Sequence, residues 1–399
     1  LFEERYGLRL MKKKIIYLLK YNKVIYYFYY YLMSFLIKSF LFFIPRNNNL
    51  ILFNSFAGRN FDDSPRVLYE KIKLDNRFKN YELVWAFHKP EDFNNINVKK
   101  VKTDSLKYFI VAGSAKVWIT NSSMERGLNF KKNNTIYLNT WHGTPIKFMG
   151  SDLPSDNKSF AIIGKNNTDI MLSQSYYETE IFSRSFNLPH KVFLEVGLPR
   201  NDMLQNINKD KINAIKRELG IKSNKKIILY CPTFREYERN ITTGILMAPP
   251  FNSSKWIREL EEYVILIRAH YEVSRVLDFS GSTQIIDVTN YPVLNDLFSI
   301  ADCLVSDYSS VFFDFSITGK PMFHYTYDFE KYSSERGLYF DIRKFINGSS
   351  NEDELIEIIK KMDYDAEKLR TVAFRKNYVN FFGNATEKTI DYLYEKLLE

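Results

Sequence analysis

Beyond residue 50 the chain alternates short apolar runs with longer amphipathic stretches. Short apolar runs bounded by turn residues suit buried strands, and apolar positions at three- and four-residue intervals suit helices packed on a sheet. The pattern predicts strands over 50–55, 83–87, 116–121 and 135–140, and helices over 65–73, 105–112 and 169–186. A polar, charged stretch over 206–226 interrupts it, and the alternation then restarts. Strands are predicted over 226–231, 263–268, 283–287, 303–306 and 321–325, with helices over 255–262, 293–300 and 311–318 and terminal helices over 352–362 and 365–399. Strand–helix alternation of this kind argues for parallel sheets covered on both faces. Two such halves give an α/β architecture of two doubly wound, Rossmann-like domains facing a cleft, over 47–205 and 206–399, behind a distinct segment over 1–46.

That first segment follows another pattern. Residues 24–37 form an apolar run of 14 residues, interrupted at Lys38 and resumed to Ile44. A spanning helix needs about 20 apolar residues, so the run is marginal as a span. Tyr26, Tyr27, Tyr29, Tyr30 and Tyr31 carry an apolar body and a polar tip, which suits headgroup depth. Charge sharpens this reading. The chain carries a formal +9, yet residues 1–50 hold nine basic residues and two acids, so +7 sits there and +2 remains for the body. The segment is expected to lie on an anionic membrane surface, where each lysine contributes about 1 kcal/mol; a true span and a buried aromatic helix are the alternatives. Residues 1–10 read as an upstream extension, with Met11 a candidate start. A near-neutral body also argues against nucleic acid as a partner.

Composition excludes further classes. A 45% hydrophobic and 16% aromatic chain has enough apolar mass to fold. Two cysteines, Cys231 and Cys303, exclude a disulfide scaffold and read as core thiols of a reducing compartment. No phosphate-binding GxxxxGK[ST] or GxGxxG occurs, which disfavours an ATPase or a nicotinamide enzyme. The five histidines are too dispersed for a metal site, and His88, His190 and His324 read as solvated or core residues.

Candidate chemistry gathers at strand tips, where open α/β sheets bind ligands. The strand over 135–140 runs into Trp141-His142-Gly143-Thr144-Pro145, which puts His142 on a tight loop. Imidazole suits general-base work near neutrality, and it would equally hold such a loop by hydrogen bonds. Arg268 and His270 fall on one side of an extended segment and suit an anionic phosphate. Thr233 and Arg235 end another strand. Ser309 and Ser310 stand before a helix and suit phosphate, although Asp307 or Ser309 would also serve as a simple helix cap. Arg200 and Asp202 occupy the junction between the halves and read alternatively as a structural pair in a turn.

In order along the chain, Thr140–Pro145 with Lys147, Gly197–Asp202, Pro232–Arg235, Arg268–Tyr271, and the stretch from Asp287 through Ser306-Asp307-Tyr308-Ser309-Ser310 to Phe315 resemble the motifs of the teichoic acid glycerophosphotransferases, enzymes that use CDP-glycerol. Pro321, Tyr327-Asp328, Tyr332 and Arg336–Asp341 extend the similarity, which covers roughly residues 50–345. Leu198 and Phe148-Met149 depart from the pattern and bear on the acceptor.

The resemblance implies a GT-B-like fold and transfer of glycerol phosphate from CDP-glycerol to a hydroxyl of an undecaprenyl-diphosphate-linked acceptor, releasing CMP. It implies a peripheral protein at the cytoplasmic face of a bacterial cell membrane. His142 and His270 become the catalytic candidates. Thr233, Arg235, Arg268, Ser309 and Ser310 become the diphosphate ligands, supported by Trp141, Gly143, Thr144, Lys147, Arg200, Asp202 and Asp307, with Asp307 favoured as a helix cap. Asp328 and Glu330 are assigned to the nucleotide. No protein metal site is expected, while a divalent cation carried by the diphosphate and a homo-oligomer are both compatible. A CDP-ribitol enzyme, a capsule polymerase, a nucleotide-sugar glycosyltransferase and an inactive membrane-bound scaffold are the competing readings.

Overall fold

The computed structural model describes residues 22–153, 166–233, 235, 250–269 and 282–399. Its first sheet has seven strands: β1 (Asn47–Asn54), β2 (Glu82–Phe87), β3 (Lys99–Lys102), β4 (Ala115–Thr120), β5 (Ile136–Asn139), β6 (Ile170–Ser173) and β7 (Phe193–Glu195). All pair in parallel in the order β3-β2-β1-β4-β5-β6-β7. The second sheet has six, β8 (Lys226–Cys231), β9 (Tyr263–Ile267), β10 (Ile285–Asp287), β11 (Cys303–Ser306), β12 (Met322–Tyr325) and β13 (Asn347–Ser349), again all parallel, in the order β10-β9-β8-β11-β12-β13. This is the two-sheet, GT-B-like α/β arrangement.

Sequence dictates the sheet interiors simply. A parallel strand covered on both faces needs apolar side chains at successive positions. Ile51-Leu52-Phe53 and Ile227-Ile228-Leu229 meet that need and are fully buried. In each sheet the strand order reverses at one point, between β1 and β4 and between β8 and β11, and the crevice beyond those strand ends is where such folds place ligands.

Four features depart from the sequence reading. The predicted helix over 169–186 is a strand, β6, followed by the helix Tyr176–Phe186; Ser175 caps that helix by accepting from the Glu178 amide, and so separates the two. Strand β3 went unpredicted because it is a polar edge strand, with Val101 its only buried residue. β7 and β13 are likewise short edge strands. The terminal helix over 365–399 is two helices, Tyr364–Tyr378 and Ala385–Leu398, and the second does not pack with the domain over 206–399 to which its position assigned it. Ala385, Ile390 and Leu393 join the core around β1 and β2, because Asp202 accepts from the Ala385 and Thr386 amides and anchors that helix start on the first domain.

The helix Lys23–Phe42 begins at Asn22, whose side chain accepts from the Ile25 amide. One face docks. Leu41 is buried so closely against Gly113 that a Cβ there would lie 2.5 Å from a Leu41 methyl, and Ser34 accepts from the Asn129 amide at 2.9 Å. The other face exposes Val24, Phe28, Tyr31, Phe35 and Phe42. With 20 residues, the helix is long and apolar enough to cross a membrane. The basic residues before Asn22 lie outside the described residues. Cys231 and Cys303 are both buried free thiols, and burial pushes Cys231 up to about 12.

Candidate active site

Loops from both sheets meet around a cavity of about 300 Å³ between the domains. The first domain lines it with Phe56, Asp62, Asp63, Arg66, His142 and Arg200, and the second with Arg268, Asn295, Ser310 and Asp314.

His142 is set by backbone contacts. Its Nδ1 lies 2.6 Å from the Asn121 carbonyl oxygen, at the tip of β4. A carbonyl only accepts, so Nδ1 carries the proton and Nε2 keeps its lone pair. Trp141, held at a positive φ of 50°, stacks on the imidazole at 4.3 Å, and Phe56 packs against it at 5.8 Å. The ring has open surface toward the cleft, yet both domain walls crowd it, and this desolvation lowers its pKa below the usual 6.5.

Opposite His142 stands the turn before the helix Val311–Ser316. A Cβ on Gly143 would lie 2.5 Å from the Ser310 hydroxyl, so the His142 loop and the Ser310 turn touch across the domain boundary. Arg268, at the end of β9, donates through Nη1 to the Tyr291 carbonyl at 2.5 Å and faces the cavity. The predicted His142, Arg268 and Ser310 therefore share one cavity, with Gly143 against Ser310 beside it. Ser309 lies one residue back, and its hydroxyl accepts from the Val311 amide at 3.4 Å. His270 lies outside the described residues.

Arg200 belongs to the site, but with partners other than Asp202. Its guanidinium joins Asp63 at 3.1 Å and Asp314 at 2.8 Å, and Asp314 also accepts from Asn201 and Gln174. Burial alone would lower the Arg200 pKa; the two carboxylates outweigh it and keep the group charged. Asn295 closes the network by donating to the Arg200 carbonyl and to Asn201. Asp202 serves instead as the anchor of the last helix. Thr144 points away from the cavity: its hydroxyl donates to buried Glu178, pushed up to about 7 by its desolvation, and accepts from Gln174. Lys147 pairs with Leu338 in an antiparallel bridge, flanked by the Phe148 amide on the Gly337 carbonyl and the Tyr339 amide on the Ile146 carbonyl. Two motifs far apart in sequence thus form one clasp between the domains.

Several assignments at the other strand tips need correction. Arg235, read as a diphosphate ligand, is 3% exposed and turned inward. It donates to both oxygens of Asp328 at 2.7 and 2.9 Å, to Asp307 at 2.9 Å and to the Thr233 carbonyl at 2.6 Å. The rings of Tyr308, Tyr327 and Tyr332 surround it at 4.8–5.1 Å. Asp307 is not a helix cap. It accepts from the Thr233 amide and hydroxyl and from Arg235, so it holds the β8 loop, and the Thr233 hydroxyl spends its proton on Asp307 rather than on a phosphate. Asp328, assigned to the nucleotide, is engaged by Arg235 and by the Tyr308 hydroxyl, while Glu330 is 90% exposed on the outer face of its helix.

Sequence reasoning missed Asp62, Asp63, Asp314 and Asn121. Asp314 lies inside the longest motif, and the two aspartates directly precede Ser64-Pro65. Asp62 lines the cavity with its carboxyl pushed up to about 6, by burial first, which outweighs a hydrogen bond from the Asp63 amide; the Asp63 charge adds to the rise, and Arg268 and Arg66 oppose it. Among the described residues no cluster of three metal-ligating side chains occurs.

Residues 36–395 match the family model described as CDP-Glycerol:Poly(glycerophosphate) glycerophosphotransferase. The chain is 36% identical over 358 residues to the teichoic acid glycerol-phosphate transferase of Staphylococcus aureus, covering 83% of this chain and 89% of that protein. It is 36% identical over 315 residues to the teichoic acid poly(glycerol phosphate) polymerase of Staphylococcus epidermidis, covering 75% of this chain but only 43% of that longer protein. A structure of the wall teichoic acid polymerase TagF, bearing a histidine substitution and soaked with CDPG, superposes with a TM-score of 0.80 at 32% identity over 88% of this chain and 90% of that chain. Teichoic acid ribitol-phosphate enzymes match at lower identity.

Proposed function

Because the chain belongs to the CDP-glycerol:poly(glycerophosphate) glycerophosphotransferase family, we propose that it transfers glycerol phosphate from CDP-glycerol to a hydroxyl of a lipid-linked teichoic acid acceptor. The observation that carries this reading is the imidazole of His142, fixed in one tautomer by the Asn121 carbonyl with Nε2 toward a cleft whose far wall holds Arg268 and Ser310. The acceptor hydroxyl binds against Nε2, which takes its proton as the oxygen attacks the glyceryl-bearing phosphorus. The bond from that phosphorus to the CMP oxygen breaks, and CMP leaves with the electron pair. Arg268 and the Ser309–Ser310 turn meet the charge on the phosphoryl oxygens, where positioned donors contribute most. His270, two residues beyond Arg268, is the second histidine on the strength of its motif.

Higher identity to the glycerol-phosphate enzymes than to the ribitol-phosphate ones supports the glycerol donor. The exposed aromatic face of the helix Lys23–Phe42 supports a peripheral seat on the cytoplasmic membrane surface, since its opposite face is committed to the first domain. CMP release is measured with CDP-glycerol or CDP-ribitol and lipid-linked acceptors, for wild type, His142→Ala and His270→Ala. Loss of the general base should cost about 10²–10⁴ in rate. Undiminished turnover by His142→Ala would remove that residue from the mechanism, and a preference for CDP-ribitol would replace the donor.

A further inference from the structure

One carboxyl in the cleft has no role in the reaction as described. Asp62 occupies the residue before the helix Asp63–Leu74, where a cap would sit, yet its side chain makes no capping hydrogen bond. It forms no ion pair among the described residues, although Arg66 and Arg268 are near enough to act on it electrostatically. Arg66 is committed to Glu70 at 2.8 Å, and the adjacent Asp63 is committed to Arg200. The backbone around it is held with effort. Phe56, Ala57 and Asp63 all have positive φ, and the Phe56 and Ala57 amides donate to the side chains of Asn121 and Ser122. Asn121 is also the residue that fixes His142, so one buried asparagine sets both the Phe56–Asp62 loop and the imidazole.

Charge sorts what can bind there. The diphosphate of a nucleotide donor is anionic and is drawn to Arg268 and Ser310 on the second domain. A carboxyl repels it. The group on Asp62 must therefore be neutral and must donate hydrogen bonds, which describes a polyol hydroxyl. Asp62 follows β1 and His142 follows β5, on either side of β4 in the first sheet, and both open on the same cavity, so that hydroxyl belongs to the molecule whose oxygen meets Nε2.

Resting on the glycerophosphotransferase reading, we propose that Asp62 is a positioning residue for the acceptor: its carboxyl accepts a hydrogen bond from the hydroxyl next to the attacking one on the terminal glyceryl unit and so fixes which oxygen faces His142. A site built around such a hydrogen bond rejects an analogue lacking the hydroxyl far more strongly than an apolar pocket would.

The test measures CMP release by the full chain, with CDP-glycerol and two acceptors. One ends in a glyceryl unit with both hydroxyls, and the other in a unit lacking the hydroxyl next to the attacked one. Wild type is expected to favour the first by tenfold or more. Asp62→Ala should raise the KM for that acceptor roughly ten- to a hundredfold, leave the KM for CDP-glycerol within about twofold, and lose the discrimination. Asp62→Asn, which keeps an acceptor oxygen of the same shape, should recover part of it. Product linkage read by phosphorus NMR should be uniform for wild type and mixed for Asp62→Ala. Equal KM increases for donor and acceptor, or full discrimination retained by Asp62→Ala, would overturn the assignment. No CMP release by wild type would overturn the reaction itself, and this role with it.

Discussion

Arg235 provides the sharpest division between a residue that binds substrate and one that builds the site. Replacing it with alanine removes a guanidinium that gives four hydrogen bonds of 2.6–2.9 Å to Asp307, Asp328 and the Thr233 carbonyl. Both carboxylates are nearly as buried as the arginine, with 3% and 8% of their side chains exposed. Burial alone would lower the arginine pKa, but Asp307 and Asp328 outweigh it and raise it well above its usual value, a sign of how strongly the three depend on one another. Truncating one member of a buried ion cluster costs about 3–5 kcal/mol, because the charges left behind are unpaired away from water. Contacts to three tyrosine rings add about 0.5–1 kcal/mol each, not independently.

A loss of about 4 kcal/mol, in a chain of this size, corresponds to a melting temperature lower by roughly 5 °C. Arg235→Lys keeps the charge but cannot fork between two carboxylates, and should fall between wild type and alanine. Thermal unfolding followed by fluorescence gives the stability, and calorimetric titration of CDP-glycerol below the transition gives the affinity. A variant that melts like wild type yet binds CDP-glycerol tenfold more weakly would refute the inward assignment and restore Arg235 as a diphosphate ligand.

His142 must be neutral to act as a base, so kcat/KM should rise with pH through a value below 6.5 and be flat above neutrality; a limb centred well above 6.5 would show that burial does not control it. Gly143→Ala should lose about a hundredfold in kcat, because its Cβ would push the His142 loop off Ser310, and unchanged turnover would show the loop can yield. Phe28→Glu with Phe35→Glu alters only the exposed helix face and should abolish cosedimentation with anionic vesicles while leaving the melting temperature within a degree or two; deletion of the whole helix is the poorer test, since Leu41 belongs to the first core. Asp62 is held near 6 against an ordinary 3.8, so its ionised form opposes folding above about pH 6, and that penalty fades as pH falls toward 3.8. Asp62→Asn should therefore be more stable than wild type at pH 8, by about 3 kcal/mol, with the gain shrinking below pH 6; equal melting at pH 8 would contradict the burial.

The pattern of the chain revealed both sheets because buried parallel strands leave a signal that needs no context. Ile51-Leu52-Phe53 and Ile227-Ile228-Leu229 are legible anywhere. β3 and β7 are not, since an edge strand with at most one buried residue looks like a loop, and β6 merged with its helix because only Gln174 and Ser175 separate them. The last helix misled for a different reason: sequence position says nothing about which core a chain end returns to, and Asp202 sends it back to the first.

The site was legible in its residue types but not in their direction. Arg235 and Arg268 both follow apolar strands, both sit in recognisable motifs, and both read as cations offered to a phosphate. What separates them is supply. Asp307, which looked like a cap, and Asp328, which looked like a nucleotide contact, converge on Arg235 from two other strand ends and consume it, while Arg268, among the described residues, has no carboxylate hydrogen-bonded to it and donates to the Val288 and Tyr291 carbonyl oxygens. A cation's role depends on which carboxylates the topology brings to it, and pairs 72 and 93 residues apart leave no mark in local sequence. The same rule runs in reverse for the aspartates: Asp63 and Asp314 are consumed by Arg200, and Asp62, one residue away, is left facing the cleft. In this fold the chemically available groups are those the ion clusters leave over, and among the described residues His142, Arg268, Ser310 and Asp62 are such groups at the cavity.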